Sequence, residues 1–275
     1  MLIEIIKFFI YTILIVIISK YALVKLLRRL TTLLNLSAKA VGNISGMATS
    51  MPELLTVCFS SVAGLVSTSI YNIISSNAIN FIQYLASIII NKNYKIIKNK
   101  AIKIDLFLSM ATIIFPVILV ILNVDFIPSI VPFFLLLFSM FYYINNNAHK
   151  LYLTKYDNNQ IEDKNKNRKI TKIIANIVCI VITSVILFFI GDRLSSSLEN
   201  LALIFNVPEK MLGIVLGFVT SLPELITFFE SQKHYNKEKN EELGVVEATN
   251  NLLTSNILNL FVIQSFGIFI FTIFK

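Results

Sequence analysis

Two six-residue stretches, Thr49-Ser50-Met51-Pro52-Glu53-Leu54 and Thr220-Ser221-Leu222-Pro223-Glu224-Leu225, set a carboxylate beside a helix breaker and two hydroxyls inside otherwise apolar runs. Proline lacks a main-chain donor and clashes with the preceding turn, so the first stretch is expected to release carbonyl oxygens near Ala48 and Thr49. Carboxylate, hydroxyl and carbonyl oxygens together form the ligand set of a hard cation. A protonated Glu satisfied by a nearby hydroxyl would need no ion. Two acids at matched depth in apolar segments nevertheless mark a functional site, because each costs free energy to bury there.

A second polar segment follows each motif, Asn72 to Asn80 and Asn251 to Asn259. On a helix, Ser76 and Asn80 share a face, as do Ser255 and Asn259. Small polar residues also serve as glue between membrane helices, but their recurrence behind both Pro-Glu motifs favours a ligand role. The first motifs align at an offset of 171, with Asn35, Lys39, Gly42, Gly46, Thr49, Ser50, Pro52, Glu53, Leu54 and Thr56 each meeting an identical residue. The second segments align at 179, the extra residues falling in the polar stretch Gln232 to Gly244. Internal duplication of this kind fixes the architecture before any single residue is read.

The elements that must carry these residues are membrane helices. With 275 residues, 56% hydrophobic and 15% charged, and a mean hydropathy of +0.75, the chain is too apolar for a soluble globule. Crossing the hydrocarbon core takes about 20 largely apolar residues. Eight continuous stretches are candidates: Leu2 to Ser19, Ala40 to Leu65, Ile70 to Ile90, Leu106 to Leu122, Ile127 to Ile144, Ile170 to Ile190, Met211 to Phe229 and Val245 to Phe274. Continuous runs favour helices over the short alternating strands of a barrel. The fold class expected is an all-α membrane protein. The first stretch lacks the basic flank and cleavage site of a signal peptide. Cys58 and Cys179 fall inside spans, so neither a disulfide nor a metal site is implied.

The net charge of +8 does not point to nucleic acid once positions are read, because twenty of the 24 basic residues lie in the loops after odd-numbered spans. The positive-inside rule then places both termini outside, in a multi-pass protein of a plasma or inner membrane. Under that orientation spans two and seven run in opposite senses, so the duplicated units are inverted, a pattern that puts binding sites at the midplane where broken helices meet. Residues 1–144 form a first repeat, 145–169 an inner polar linker and 170–275 a second repeat. Asn35 to Ser37 and Asn206 should cap the two motif-bearing spans. Helices four and five are expected to give packing support, with Asp105 and Asp125 near their ends. His149 and His234 are expected in solvated loops. Asp192, Glu199 and Glu209 outside, and Glu230 and Glu247 inside, read equally as solvated charge or as entrance groups.

The Thr-Ser-x-Pro-Glu-Leu pair, with the Asn-x-x-x-Ser-x-x-x-Asn segments at Asn72 to Asn80 and Asn251 to Asn259, resembles the cation/calcium exchanger superfamily, and within it the sodium/calcium exchanger branch. The Gly-Asn-Ala-x-Glu pattern of proton-coupled members is absent from the sequence. The resemblance implies that Glu53 and Glu224 coordinate calcium or sodium, helped by Thr49, Ser50, Thr220 and Ser221 and by Ser76, Asn80, Ser255 and Asn259 of the following helices. Where family members often carry Gly, this chain has Ala48, Val219, Ser75 and Thr254, and where relatives often carry Asp it has the neutral Asn80 and Asn259. The family commonly has ten helices, against eight counted here, so the second repeat is expected to lack two.

The function expected is therefore secondary antiport of calcium against sodium, with the lipid bilayer and the two ions as partners and no cofactor. Protons or potassium are the alternative coupling ions. A proton-coupled calcium antiporter and a non-transporting homologue acting as a partner subunit are the rivals, and intramembrane hydrolysis fits the Pro-Glu pairs less well than ion coordination. Oligomeric state is not legible.

Overall fold

A computed structural model describes residues 2–34, 36–124, 126–153, 166–237 and 239–274. Among the described residues the chain is all-helical, with no strand. Asn35, Asp125, the middle of the polar linker (154–165) and Lys275 lie outside the described residues, as does the Glu199 side chain.

The first span, α1 (Leu2–Ile18), passes through a π turn at Ser19–Leu23 into α2 (Val24–Leu34). The second is broken: α3 (Ala38–Thr49) ends one residue before α4 (Met51–Val62) begins. Then come α5 (Val66–Ile90), α6 (Lys100–Ile121), α7 (Val131–Tyr152) and the 40-residue α8 (Lys166–Phe205). The second broken element pairs α9 (Glu209–Thr220) with α10 (Leu222–Lys237), and α11 (Glu241–Ile257) joins α12 (Gln264–Phe274) through a π turn at Leu258–Ile263.

Among the described residues six helices are long and apolar enough to cross a membrane: Val66–Ile90, Lys100–Ile121, Pro128–Tyr152, Ile170–Leu194, Glu209–Lys237 and Glu241–Phe274. The other two stretches expected to span fall on α1, which runs into its π turn, and on the broken α3–α4 pair. Large apolar side chains such as Ile121, Phe189 and Leu203 are exposed, the outward face a bilayer would cover.

Glycines set the helix pairing. A Cβ on Gly42 would lie 2.3 Å from the Glu247 carbonyl oxygen, and one on Gly46 would lie 2.7 Å from that of Asn251, so α3 lies directly against α11. Gly213 and Gly217 do the same for α9 on α5, at 2.5 Å from Thr68 O and 2.6 Å from Asn72 O. Close approach of this kind needs residues without side chains.

The contact register also gives direction. Gly42 and Gly46 meet Glu247 and Asn251 in rising order, so α3 and α11 are parallel, and α9 and α5 are parallel by the same test. Between α5 and α11 the order reverses: Ser76 meets Asn259, Asn80 meets Ser255 and Tyr84 meets Thr249. Hence α3 and α9, which carry the two copies of the motif, run in opposite directions. Residues 145–152 of the expected linker are not loop but the last turns of α7.

Candidate functional site

Each Pro-Glu motif breaks its helix at one residue. Ser50 (φ −79°, ψ 0°) separates α3 from α4, and Ser221 (φ −78°, ψ −3°) separates α9 from α10. Proline follows each break in the first turn of the new helix, where its missing N–H costs nothing. Glu53 and Glu224 also fall in those first turns, and the positive end of a helix dipole favours a negative charge there. The Ser50 N–H donates to Gly46 O at 3.2 Å and the Ser221 N–H to Gly217 O at 3.2 Å, so each helical ladder runs up to its break.

Both carboxylates are fully buried, and their partners come from both motifs. Ser76 Oγ donates to Glu53 Oε1 at 2.8 Å, and itself accepts from Ser221 Oγ at 3.1 Å and from Asn259 Nδ2 at 3.4 Å. The mirror set is Ser255 Oγ to Glu224 Oε1 at 3.1 Å, Ser50 Oγ to Ser255 Oγ at 2.8 Å and Asn80 Nδ2 to Ser255 Oγ at 3.4 Å. Thr220 lies beside Glu53 and Thr49 beside Glu224, so each acid meets the other motif's threonine. Thr49 Oγ1 also donates to Ser45 O at 2.9 Å. All ten residues expected to form the site are buried in one polar cluster.

Four oxygens in this cluster have no hydrogen-bond donor among the described residues: Glu53 Oε2, Glu224 Oε2, Asn80 Oδ1 and Asn259 Oδ1. Leaving buried acceptors unmet is costly, and four acceptors related in pairs by the duplication suit a bound cation better than a donor. No three His, Cys, Asp or Glu side chains converge among the described residues. An ion held here would therefore complete its shell with neutral hydroxyl and amide oxygens around two carboxylates, a set matched to sodium or calcium rather than to a soft transition metal.

Sequence reasoning missed the residues that bind the two second segments to each other. Asn77 Nδ2 donates to Asn256 O at 3.1 Å while Asn256 Nδ2 donates to Asn77 O at 3.2 Å, and Asn259 Nδ2 reaches Asn77 Oδ1 at 3.1 Å. Thr220 Oγ1 donates to Asn72 Oδ1 at 3.5 Å, and Asn251 Nδ2 donates to Thr227 Oγ1. The signal was present: Asn72 and Asn77 recur identically at Asn251 and Asn256. Asn72 and Asn77 lie on the buried side of α5 with Ser76 and Asn80, and α11 is buried nearly all round, so these amides face partners that the spacing of Ser76 and Asn80 alone does not reveal.

Several expectations for single residues change. His149 is not a solvated loop residue: it lies in α7, buried, with Nε2 2.6 Å from Asp105 Oδ2. Asp105 is buried too, and its Oδ1 accepts from Asn145 Nδ2 at 2.8 Å, so this end of α6 carries a polar network. His234 is helical, in α10. Glu247 is a buried ion-pair partner of Arg28 at 3.1 Å. Ser37 caps α3 as expected, its Oγ accepting from Ala40 N at 3.4 Å. Asn206 does not cap α9, whose N-cap is Pro208; instead Asn206 takes a left-handed turn conformation (φ 51°).

The chain matches the family described as sodium/calcium exchanger protein over residues 5–146 and 175–275. No curated protein sequence matches it. Among solved structures it resembles the sodium-calcium exchanger NCX_Mj soaked with 10 mM Na+ and zero Ca2+, with a TM-score of 0.59 and 22% identity over 98% of this chain and 84% of that one. NCX_Mj soaked with 100 mM Na+ and 10 mM Sr2+ gives 0.58 and 21% over 98% and 83%. Without Na+ and Ca2+ the values are 0.55 and 22% over 98% and 83%. At this identity the likeness is one of fold. The family match covers most of both halves, including both Pro-Glu motifs and both polar segments, and the chain belongs to the sodium/calcium exchanger protein family.

Proposed function

We propose that the chain is a secondary antiporter that exchanges calcium for sodium at one midplane site shared by two inverted repeats, residues 1–144 and 170–275, joined through 145–169. The observation that carries this reading is the set of four donor-less oxygens on Glu53, Glu224, Asn80 and Asn259, two from each repeat. Two carboxylates balance one calcium or two sodium ions, whereas an empty site keeps two buried charges uncompensated. Crossing empty is disfavoured by that cost, which makes the protein an exchanger and not a leak. Alternating access would come from moving one group of helices against another around the fixed breaks at Ser50 and Ser221. Eight spans, with both termini outside and the basic loops inside, accommodate this arrangement in a plasma or inner membrane.

The test is calcium uptake into proteoliposomes preloaded with sodium, with sodium-free and pH-gradient controls. The reading predicts uptake that requires the outward sodium gradient. Uptake driven only by a pH gradient would transfer the coupling to protons. Absence of uptake from a folded, calcium-binding preparation would leave a binding protein instead of an antiporter.

A further inference from the structure

The two ends of the helix bundle are closed by different chemistry. Basic segments gather at one end, where α2, the end of α5 and the α10–α11 connection meet: Arg28 Nη2 lies 3.1 Å from Glu247 Oε1 and 3.3 Å from Ser231 Oγ, and Asn93 Nδ2 donates to Gln232 Oε1 at 3.0 Å. Ser231 also donates to Glu247 Oε1. Glu247 is 1% exposed and Ser231 fully buried. The repeat places Thr68 opposite Glu247 and Ser60 opposite Ser231 at the other end. There Thr68 Oγ1 makes a neutral hydrogen bond of 3.2 Å to the Glu209 carbonyl. A cavity of about 370 Å³ opens beside it, lined in part by Ala63, Leu65, Asn206, Val207 and Glu209. A molecule nearly symmetric at its centre is thus charged-clamped at one end and open at the other.

Where the clamp sits explains what it could control. The helices α1 and α2 pack mainly along α8, at the edge of the bundle. Arg28 is their charged link to the helices that carry ligands: Glu247 precedes Asn251 and Ser255 on α11, and Ser231 follows Glu224 on α10. If α2 moved away from that seam, Glu247 would be left buried without its cation, which is strongly unfavourable. We propose that the Arg28–Glu247–Ser231 contact is a latch that holds the basic end closed over the ion site, and that it parts when the site opens toward that end. The inference rests on the exchange reading above.

The experiment measures thiol reactivity in the full-length purified chain with Cys58 and Cys179 replaced by Ser. Ser87→Cys reports the latched end and Ser69→Cys the opposite end, both positions being buried. The latch variants are Glu247→Gln and the neutral pair Arg28→Gln with Glu247→Gln, the second leaving no buried charge unpaired. Both should raise labelling of Cys at 87 by a polar maleimide about fivefold, while labelling at 69 does not rise. Unchanged labelling at 87, or an equal rise at both positions, would overturn the latch. Sodium-driven calcium uptake is measured on the same preparations. Lost uptake in the parent together with a selective rise at 87 would sink the exchange reading and keep the latch, whereas preserved uptake with unchanged labelling would do the reverse.

Discussion

The breaks at Ser50 and Ser221 are near-copies in backbone, burial and partners, whereas the polar helices that follow them are not. Around Asn80, α5 is an unbroken helix, but Asn259 sits in the π turn that joins α11 to α12. π turns widen a helix by one residue and recur at functional sites. The carboxylates thus form the symmetric part of the site, and the amides introduce the difference between its halves. Two inverted copies can build one shared site only if the centre is matched, while a difference between the two ends biases which end opens.

The largest effect is expected at the acids. Glu53→Gln and Glu224→Gln should each reduce sodium-dependent calcium uptake to background, and to the same extent; a variant that keeps most of its uptake would show that only one acid carries the ion. The glycine contacts come next. Gly46→Ala and Gly217→Ala push a methyl onto the Asn251 and Asn72 carbonyls, and overpacking of this kind costs about 1–3 kcal/mol. Thermal unfolding in detergent should show similar losses for the two. A much smaller loss at one of them would mean that its helix pair can slide.

The amides sharpen the difference. Asn80→Ala and Asn259→Ala should each weaken calcium binding roughly tenfold, about 1.4 kcal/mol, read by equilibrium binding. A clearly larger effect at Asn259 would assign the π turn to ion affinity. Gly64→Ala is the smallest expected change and the control: a Cβ there meets nothing, but φ is +80°, a left-handed conformation that costs an L-residue about 1–2 kcal/mol. Stability should fall slightly with calcium affinity unchanged.

Much of the centre was legible because duplication repeats the signal. Glu53, Ser76 and Asn80 gain meaning only from Glu224, Ser255 and Asn259. The helix breaks were legible too, since Pro52 and Pro223 cannot continue the preceding ladder. What a single chain hides is the partner across the fold. Nothing near Glu247 in sequence identifies Arg28, and nothing near Asp105 identifies His149, which a polar run of residues made look like loop. The Asn145 to Tyr152 segment is helical because its Asn145 and His149 side chains find buried partners on other helices, a tertiary effect that overrides local polarity.

If both repeats hold one ion together, equilibrium binding of radioactive calcium to the purified protein must show a single shared site. The parent should bind one calcium per chain without sodium, released by added sodium, and Glu53→Gln and Glu224→Gln should each abolish that binding. Two calcium ions per chain, or one ion retained when either Glu is replaced, would show two independent sites and contradict the shared one.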